Sequence, residues 1–364
     1  MALSGGIDSA VSAYLLIEQG YRVEAAFMKN WSSTKGLLKD ECPWLQDRQD
    51  ALRVAAFLKI TLNTLDFEKQ YEKNVLEYFF KEYQAGHTPN PDVMCNKEIK
   101  FKLLYNWAMK NGFDYLATGH YAQIDYRGKS MGDNKAFSNI KPIPYILKRS
   151  VDEFKDQTYF IYNILESQLS RVLFPIGGMK KTAVRKLAQK IKLPNADKKE
   201  SMGLCFVGKI RLKDFLGQRL RSKKGTIVDQ QGRKIGEHEG LYNYTIGQRQ
   251  GVRVGGSGPY YVTSKDLITN TLHVTNNPND QKLETKEMQI HSVNWIDATY
   301  KKVTKKIKLK GRFRHQGDLV LLTVEPQDKG FYKVIFGKPQ KALASGQSLV
   351  LYKGKQCVGG GIIA

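Results

Sequence analysis

Six consecutive residues near the start of the chain, Ser4-Gly5-Gly6-Ile7-Asp8-Ser9, have the types needed to hold an anion. Two glycines let backbone N–H groups approach a charged ligand with no Cβ in the way. The apolar stub Ala2-Leu3 precedes them, and a helix with Val11, Leu15 and Leu16 on one face follows, stopping at Gly20. A phosphate at this turn meets free donors and the positive end of the helix dipole. Ser4 and Ser9 add hydroxyls, and Asp8 can hold Mg2+ beside the phosphates. No lysine stands where a G-x-x-x-x-G-K-[ST] loop requires one. The plainer alternative is a glycine turn capped by Ser and Asp.

Four cysteines follow, Cys42, Cys95, Cys205 and Cys357. They are too few and too scattered for a disulfide framework, and no C-x-x-C pair points to zinc or an iron–sulfur cluster. A reducing cytosol is the expected setting, so any cysteine pairing would be catalytic. Cys95 ends the proline-braced run Thr88-Pro89-Asn90-Pro91-Asp92-Val93-Met94-Cys95, with Lys97 and Lys100 beyond it. A thiol near a helix start with lysines close by carries more thiolate, and Asp92 could serve as an acid/base group. For an isolated cysteine here, plain burial is the favoured reading. Cys205 lies in Glu200-Ser201-Met202-Gly203-Leu204-Cys205-Phe206-Val207-Gly208, after Lys198 and Lys199. Cys42 and Cys357 match no reactive pattern and read as structural. The histidines show no metal-ligand spacing, and no metal site is expected within the protein itself.

Elements must hold these groups in place. Apolar runs at Arg22 to Met28, Thr61 to Leu65 and Tyr115 to Thr118 alternate with amphipathic helices, one of which carries Ala51, Val54, Ala55 and Leu58. Strand–helix alternation predicts an α/β domain with a parallel sheet. Tyr121 to Asp125 and Tyr145 to Arg149 predict a hairpin around a loop with Gly128, Gly132, Pro142 and Pro144. A basic helix is expected over Lys209 to Arg221, then short strands at Thr226 to Asp229, Tyr242 to Ile246 and Tyr260 to Thr263. From about Gln281 only strands are read: Ile307 to Phe313, Leu319 to Val324, Tyr332 to Phe336 and Ser348 to Tyr352. That spacing predicts a small antiparallel barrel. Three domains result: 1–207 with the phosphate loop, a small central domain over 208–280, and a β-barrel over 281–364.

The chain of 364 residues has 58 Lys and Arg against 35 Asp and Glu, a formal net charge of +23. A field of that size attracts polyanions, nucleic acid first among them. Basic residues crowd two places, Lys209 to Lys224 and Lys301 to Arg314. Either could instead be a solvated face. No run of about 18 apolar residues suggests a membrane span. A monomer in the cytoplasm is expected, or in the mitochondrial matrix if the cell is eukaryotic.

The loop at Ser4 to Ser9 resembles the S-G-G-x-D-S signature of ATP pyrophosphatases of the PP-loop type, which adenylate a carbonyl oxygen and expel pyrophosphate. Further motifs narrow the resemblance: Phe27-Met28-Lys29-Asn30-Trp31, Thr88 to Lys97, Ala117-Thr118-Gly119-His120-Tyr121, Lys155-Asp156-Gln157, Ser201 to Gly208 and Gly346-Gln347-Ser348. With these, essentially the whole chain resembles the tRNA-specific 2-thiouridylase family. The resemblance implies an adenine nucleotide alpha hydrolase-like first domain and ATP-dependent 2-thiolation of the wobble uridine in tRNAs for Lys, Glu and Gln. It implies that Ala2, Leu3, Ser4, Gly5, Gly6, Ile7, Asp8, Ser9, Met28 and Gly119 bind ATP with Mg2+. Asn90, Pro91 and Asp92 would contact the target base, with Asp92, Cys95 and Cys205 catalytic. Cys205 would carry a persulfide delivered by a sulfur-relay protein or cysteine desulfurase. Cys95 would resolve it, leaving a transient Cys95–Cys205 disulfide. Contacts with tRNA are implied for His120, Lys155, Asp156, Gln157, Arg312, Phe313 and Gln347.

One departure from the family is that only Met1, Ala2 and Leu3 precede the loop, a short first strand for a central sheet position. Three other functions share part of this pattern. An amidating synthetase of the PP-loop type would use the loop without needing either cysteine. A non-catalytic tRNA-binding module would not need the loop, and a sulfur carrier would not need ATP.

Overall fold

The computed structural model describes residues 1–32, 43–126, 145–199, 212–217, 219–252, 254, 259–301 and 304–364. Cys42, Cys205, the loop over 127–144, and Lys209 and Arg211 lie outside the described residues.

The first domain supplies strands β1 (Ala25–Lys29), β2 (Leu62–Asp66), β3 (Leu116–Ala117), β4 (Ala122–Tyr126), β5 (Tyr145–Arg149) and β6 (Val172–Leu173). β1 pairs with β2 and β3 with β6, both in parallel. The start of the chain runs between these two pairs. Ala2 bridges Ala26 in parallel. The Leu3 N–H donates to the Ala26 carbonyl at 2.9 Å, and the Ala2 N–H donates to the Ala117 carbonyl at 2.8 Å. The short first strand is therefore a single bridged residue, hydrogen-bonded to both neighbours. The phosphate loop leaves the carboxyl end of this position, the side on which open parallel sheets hold their ligands.

Helices α1 (Ile7–Glu18) and α2 (Pro43–Phe57) follow the loop and β1 respectively. Ile7, Ala10 and Val11 of α1 and Ala51, Val54 and Ala55 of α2 share one core with Leu3, Phe27 and the Val184 and Ala188 side chains of the helix Lys181–Lys190. The small residues matter: alanines at both helix faces let the helices lie close to the sheet.

The central domain is a four-stranded sheet of β7 (Gly225–Val228), β8 (Lys234–His238), β9 (Tyr261–Asp266) and β10 (Thr271–Thr275), in the order β8–β7–β10–β9. The strand expected over Tyr242 to Ile246 is absent. A 3-10 turn, Leu241–Asn243, occupies its start, and the Gln248 side chain accepts from the Thr245 N–H at 2.9 Å. Turn bonds thus satisfy backbone groups that a ladder would otherwise take. The basic helix is seen as Leu212–Gly217, whose Phe215 and Leu216 are buried against Phe79 and Phe80. Lys213 within it pairs with Glu239, and Arg219 just beyond it pairs with Glu72.

The last domain is built from β11 (Glu284–Trp295), β12 (Ile307–Arg312), β13 (Val320–Pro326), β14 (Tyr332–Lys341), β15 (Ser348–Lys353) and β16 (Gln356–Ile363). They run antiparallel in the order β11–β14–β13–β12–β15–β16, and β11 pairs with β16 to close a six-stranded barrel. Sequence patterning misses two of these strands. β11 breaks its register as it passes from β14 to β16, with Ser292 at φ 50° in the left-handed region. β16 contains Gly359-Gly360-Gly361, which reads as a turn. The structure shows why small residues stand there: a Cβ on Gly359 would lie 2.1 Å from the Asn294 carbonyl oxygen, and one on Gly360 would lie 2.6 Å from the Leu349 carbonyl oxygen.

The expected hairpin forms as β4–β5, but it belongs to the barrel's sheet as much as to its own domain. β5 pairs antiparallel with β16, setting Leu147 opposite Cys357. One core consequently holds Val93, Cys95, Leu147, Tyr159 and Tyr162 together with Val350, Tyr352 and Cys357. The barrel is fused to the first domain, not tethered to it.

Gly359→Ala is expected to destabilise the protein by about 1–3 kcal/mol or more, because the added methyl collides with rigid backbone. A urea unfolding midpoint equal to that of the wild type would contradict this account of β16.

Candidate active site

The phosphate loop is held open by its own side chains. The Ser9 hydroxyl donates to the Gly6 carbonyl at 2.9 Å and accepts from the Ser4 N–H at 3.2 Å. Gly6 is the N-cap of α1 and offers no side-chain acceptor to the helix. The first-turn amides of a helix have no intrahelical acceptor, so here they are available to a ligand. Gly5 has φ 75°, and a Cβ there would lie 2.2 Å from the Asp47 carbonyl oxygen. Its own carbonyl accepts from the Asn195 side chain at 2.9 Å and from Lys198 Nζ at 3.3 Å. Lys198 also pairs with Asp47 at 2.7 Å and Asp50 at 2.6 Å. Burial lowers the pKa of this lysine, but the hydrogen bonds to Asp47 and Asp50 outweigh that and raise it.

Gly119 closes the other wall. A Cβ on it would stand 2.8 Å from Ser9 N and 2.9 Å from the Asp8 carbonyl carbon. The strand exit after β3 and the start of α1 therefore touch through a residue without a side chain. Tyr121 donates its hydroxyl to Asp8 Oδ1 at 2.8 Å. Gln157 fixes Tyr121 through two bonds: its side-chain oxygen accepts from the Tyr121 N–H, and its N–H donates to the Tyr121 carbonyl, each at 2.9 Å. Lys181 completes the arrangement, with Nζ 2.7 and 2.8 Å from the two Asp8 carboxylate oxygens. Met28 is buried in β1, and Asn30, just past that strand, is 1% exposed with both side-chain polar atoms unmatched.

The turn before Cys95 is built as its prolines suggest. Asn90 caps the helix Pro91–Cys95, its side-chain oxygen accepting from the Asp92 and Val93 N–H groups at 3.1 and 3.2 Å, with Pro91 in the first turn. The barrel clamps the turn from outside. Gln347 Nε2 donates to the Thr88 carbonyl at 2.7 Å, and the Thr88 N–H donates to the Ser345 carbonyl at 2.8 Å. Asn90, Pro91 and Asp92 remain partly exposed. Cys95 does not: it is fully buried, one turn inside the helix, in the shared core. The thiol expected near a helix start with lysines beside it is instead an interior group in this conformation. Cys357 is likewise fully buried, and burial pushes its thiol far above the usual range. Its burial fits the structural reading that its sequence context suggests.

Three residues expected to touch RNA point inward. The Asp156 side chain is 0% exposed, and Oδ2 accepts from Arg149 Nε at 3.2 Å and Arg312 Nη1 at 3.1 Å. Oδ1 accepts from the Thr158 hydroxyl at 2.9 Å. Arg312 is 5% exposed. His120 is 8% exposed, its Nδ1 2.7 Å from the Thr118 hydroxyl, packed against the rings of Phe101 and Phe174. In this conformation the three side chains are buried and engaged mainly with protein partners, although Arg312 Nε has no hydrogen-bond partner among the described residues. Lys155, Gln157, Phe313 and Gln347 are partly exposed around them. On β12, Lys308 and Lys310 point out while Leu309, Gly311 and Arg312 are buried.

Lys181, Asn195 and the Asp47–Asp50 pair are absent from the sequence-based set. Lys181 is one of 58 Lys and Arg residues, and nothing local marks it. Its position at the start of an amphipathic helix was the sole available signal.

The His120 imidazole is held well below its ordinary 6.5, by burial first and by Lys100 second. The folded protein keeps it neutral, whereas the unfolded chain protonates it below about pH 6.5. Its stabilising effect is complete above that pH and is lost as pH falls, because the unfolded state then binds more protons. The thermal midpoint is expected to drop between about pH 6.5 and 5, and to drop less in His120→Gln. Parallel pH profiles for the two proteins would show that another group controls the acid limb.

Comparison with known proteins agrees with this architecture. Residues 1–209 match the model of the tRNA methyl transferase HUP domain, 213–276 that of the tRNA methyl transferase PRC-barrel domain, and 285–363 that of the aminomethyltransferase beta-barrel domain. The tRNA-specific 2-thiouridylase MnmA of Colwellia psychrerythraea is 42% identical over 372 residues, covering 100% of this chain and 94% of that protein. The proteins of the same name from Bacillus subtilis and Enterococcus faecalis are each 41% identical, with 100% of this chain and 94% of theirs covered. Among solved structures, NMN synthetase from Francisella tularensis aligns over 59% of this chain and 70% of that one, with TM-score 0.33 and 17% identity, too slight a likeness to carry argument. With three domain models matched in order and full-length relatives above 40% identity, the chain belongs to the tRNA-specific 2-thiouridylase family.

Proposed function

We propose that this chain is an ATP-dependent sulfurtransferase that replaces the 2-oxygen of a tRNA wobble uridine with sulfur. One observation carries the proposal. The stem of an anion-cradling loop, at Ala2, and the interior cysteine, Cys95, belong to the same hydrophobic core, so nucleotide and thiol chemistry share one rigid body. The descriptions of the three matched domain models speak of methyl and aminomethyl transfer, but the loop and the paired cysteine motifs are the equipment of adenylation and sulfur transfer.

The site suits a nucleoside triphosphate with Mg2+. The cradle at Gly5 and Gly119 has no room for a Cβ, the α1 amides face the loop, and Asp8 offers a carboxylate oxygen to a hard cation. Ala2 to Ser9, Met28 and Gly119 would hold the nucleotide. The uracil oxygen bonds to the α-phosphorus as the bond to the β-phosphate breaks, and the electron pair leaves with pyrophosphate. Asn90, Pro91 and Asp92 would receive the base, which must leave its stack to arrive there. A persulfide on Cys205 supplies the sulfur. Cys95 then attacks the inner sulfur, the outer sulfur passes to C2 as AMP departs, and a Cys95–Cys205 disulfide remains for a reductant to reset. A sulfur-relay protein or cysteine desulfurase would load Cys205, and the chain would act as a monomer in the cytoplasm. For RNA, Lys155, Gln157, Phe313 and Gln347 form the near surface, while Asp156, Arg312 and His120 brace it from behind. The exposed Lys308 and Lys310 extend the basic face along the barrel.

The test is mass analysis of tRNA nucleosides after incubation with ATP, Mg2+ and a persulfide source. 2-Thiouridine is expected only with ATP, and not in Asp8→Ala, Cys95→Ser or Cys205→Ser, while Cys357→Ser stays active. Thiolation without ATP, or full activity in Cys95→Ser, would contradict the scheme.

Affinity for tRNA should also fall steeply with salt, with a log–log slope of several units, because bound lysines and arginines displace counterions from phosphates. A flat dependence would assign the charge of +23 to another purpose.

A further inference from the structure

Asp8 is the loop residue suited to Mg2+, yet its carboxylate is already engaged. Lys181 Nζ lies 2.7 and 2.8 Å from its two oxygens, and the Tyr121 hydroxyl donates to Oδ1 at 2.8 Å. The Lys181 side chain is 10% exposed and that of Asp8 30%. Lys181 comes from the far end of the domain in sequence, 173 residues on, at the first position of the helix Lys181–Lys190. That is an unfavourable place for a cation, since the helix N-terminus is the positive end of its dipole. A second ring of contacts holds it there: its N–H donates to Asp152 Oδ2 at 2.9 Å, and its ammonium sits 5.8 Å from the centre of the Tyr121 ring.

We infer that Lys181 is a phosphate-contacting residue that Asp8 holds until Mg2+ and the nucleotide enter and release it. This rests on the proposed ATP-dependent function. A divalent cation arriving with the triphosphate competes for the Asp8 oxygens with twice the charge of the ammonium. The displaced ammonium keeps three N–H donors and a low-dielectric surrounding, so it turns to the nearest anion, the departing phosphates. There it offsets the negative charge that builds on pyrophosphate as the bond to the α-phosphorus breaks. The lysine missing from the loop's own sequence is thereby supplied from a distant helix. Tyr121 stays behind to orient Asp8, itself fixed by Gln157.

The experiment measures nucleotide affinity calorimetrically on the full chain, with ATP and AMP as ligands. Wild type is expected to bind MgATP more tightly than AMP. In Lys181→Met, ATP affinity should fall at least tenfold while AMP affinity stays within about threefold, a tenfold loss being 1.4 kcal/mol. Lys181→Arg should recover part of the loss. In Asp8→Asn the lysine is freed without metal, so metal-free ATP should bind several-fold more tightly than to wild type, and the gain should vanish in the Asp8→Asn, Lys181→Met double variant. A purely structural ion pair would lower the thermal midpoint in both single variants and leave the ATP-to-AMP ratio unchanged, which would overturn the inference. Should Lys181→Met not fold, Asp8→Asn decides alone: no gain in metal-free ATP affinity rejects it. Wild type that binds no ATP at all would instead remove the proposed function on which it stands.

Discussion

The carboxylate of Asp156 is shared by two guanidinium groups inside the protein, and most of the architecture depends on that arrangement. Arg149 ends β5 in the first domain, and Arg312 ends β12 in the barrel. A carboxylate with no exposed surface is costly to bury, and it is tolerated only because both charges and the Thr158 hydroxyl satisfy it. Removing one partner would strand the others in a low-dielectric interior, which makes the joint between the domains specific in position. Tyr352, one strand further on, adds its ring beneath the Arg312 guanidinium at 5.8 Å and its hydroxyl to Thr158 at 3.1 Å. The adjacent residue, Gln157, carries the same rigidity to the nucleotide side by holding Tyr121 at both backbone groups.

Around the phosphate loop, close approach does the work of side chains. Gly119 meets the start of α1 at a distance no Cβ would allow, and Gly5 meets α2 in the same way. Once the backbone is that near, long side chains from elsewhere secure it: Lys198 and Asn195 on the Gly5 carbonyl, Lys181 and Tyr121 on Asp8. The loop is thus preorganised from three directions. Preorganised donors aimed at a developing charge need no rearrangement at the moment of reaction, which is their value to phosphoryl chemistry.

The cysteine side follows a different principle. Cys95 is inside the core that joins the two domains, beneath a turn clamped by Gln347 and Ser345. A thiol there is shielded from oxidants and from stray electrophiles. The partly exposed Asn90, Pro91 and Asp92 lie on the outer surface of that same turn.

Local residue types were enough to identify the loop, the capped turn at Asn90 and Pro91, the parallel-sheet domain and the barrel. Glycine pairs, proline positions and the period of apolar residues are short-range signals, and the backbone obeys them wherever the chain folds. The sequence also indicated a polyanionic partner, since net charge survives any arrangement of the fold. Only the tertiary structure showed that Ala2 is a bridge hydrogen-bonded on both sides, that Gly359 to Gly361 form a strand, and that β5 joins the barrel's sheet at β16. Those outcomes depend on which backbones press together, and no local pattern encodes that. The same holds for side-chain roles. Asp156 and Arg312, both expected at an RNA surface, face each other across 156 residues of chain, and Lys181 reaches Asp8 across 173. A charged residue's partner is set by distance in space, where Coulomb attraction and burial act, so composition can count such residues but only the fold can pair them.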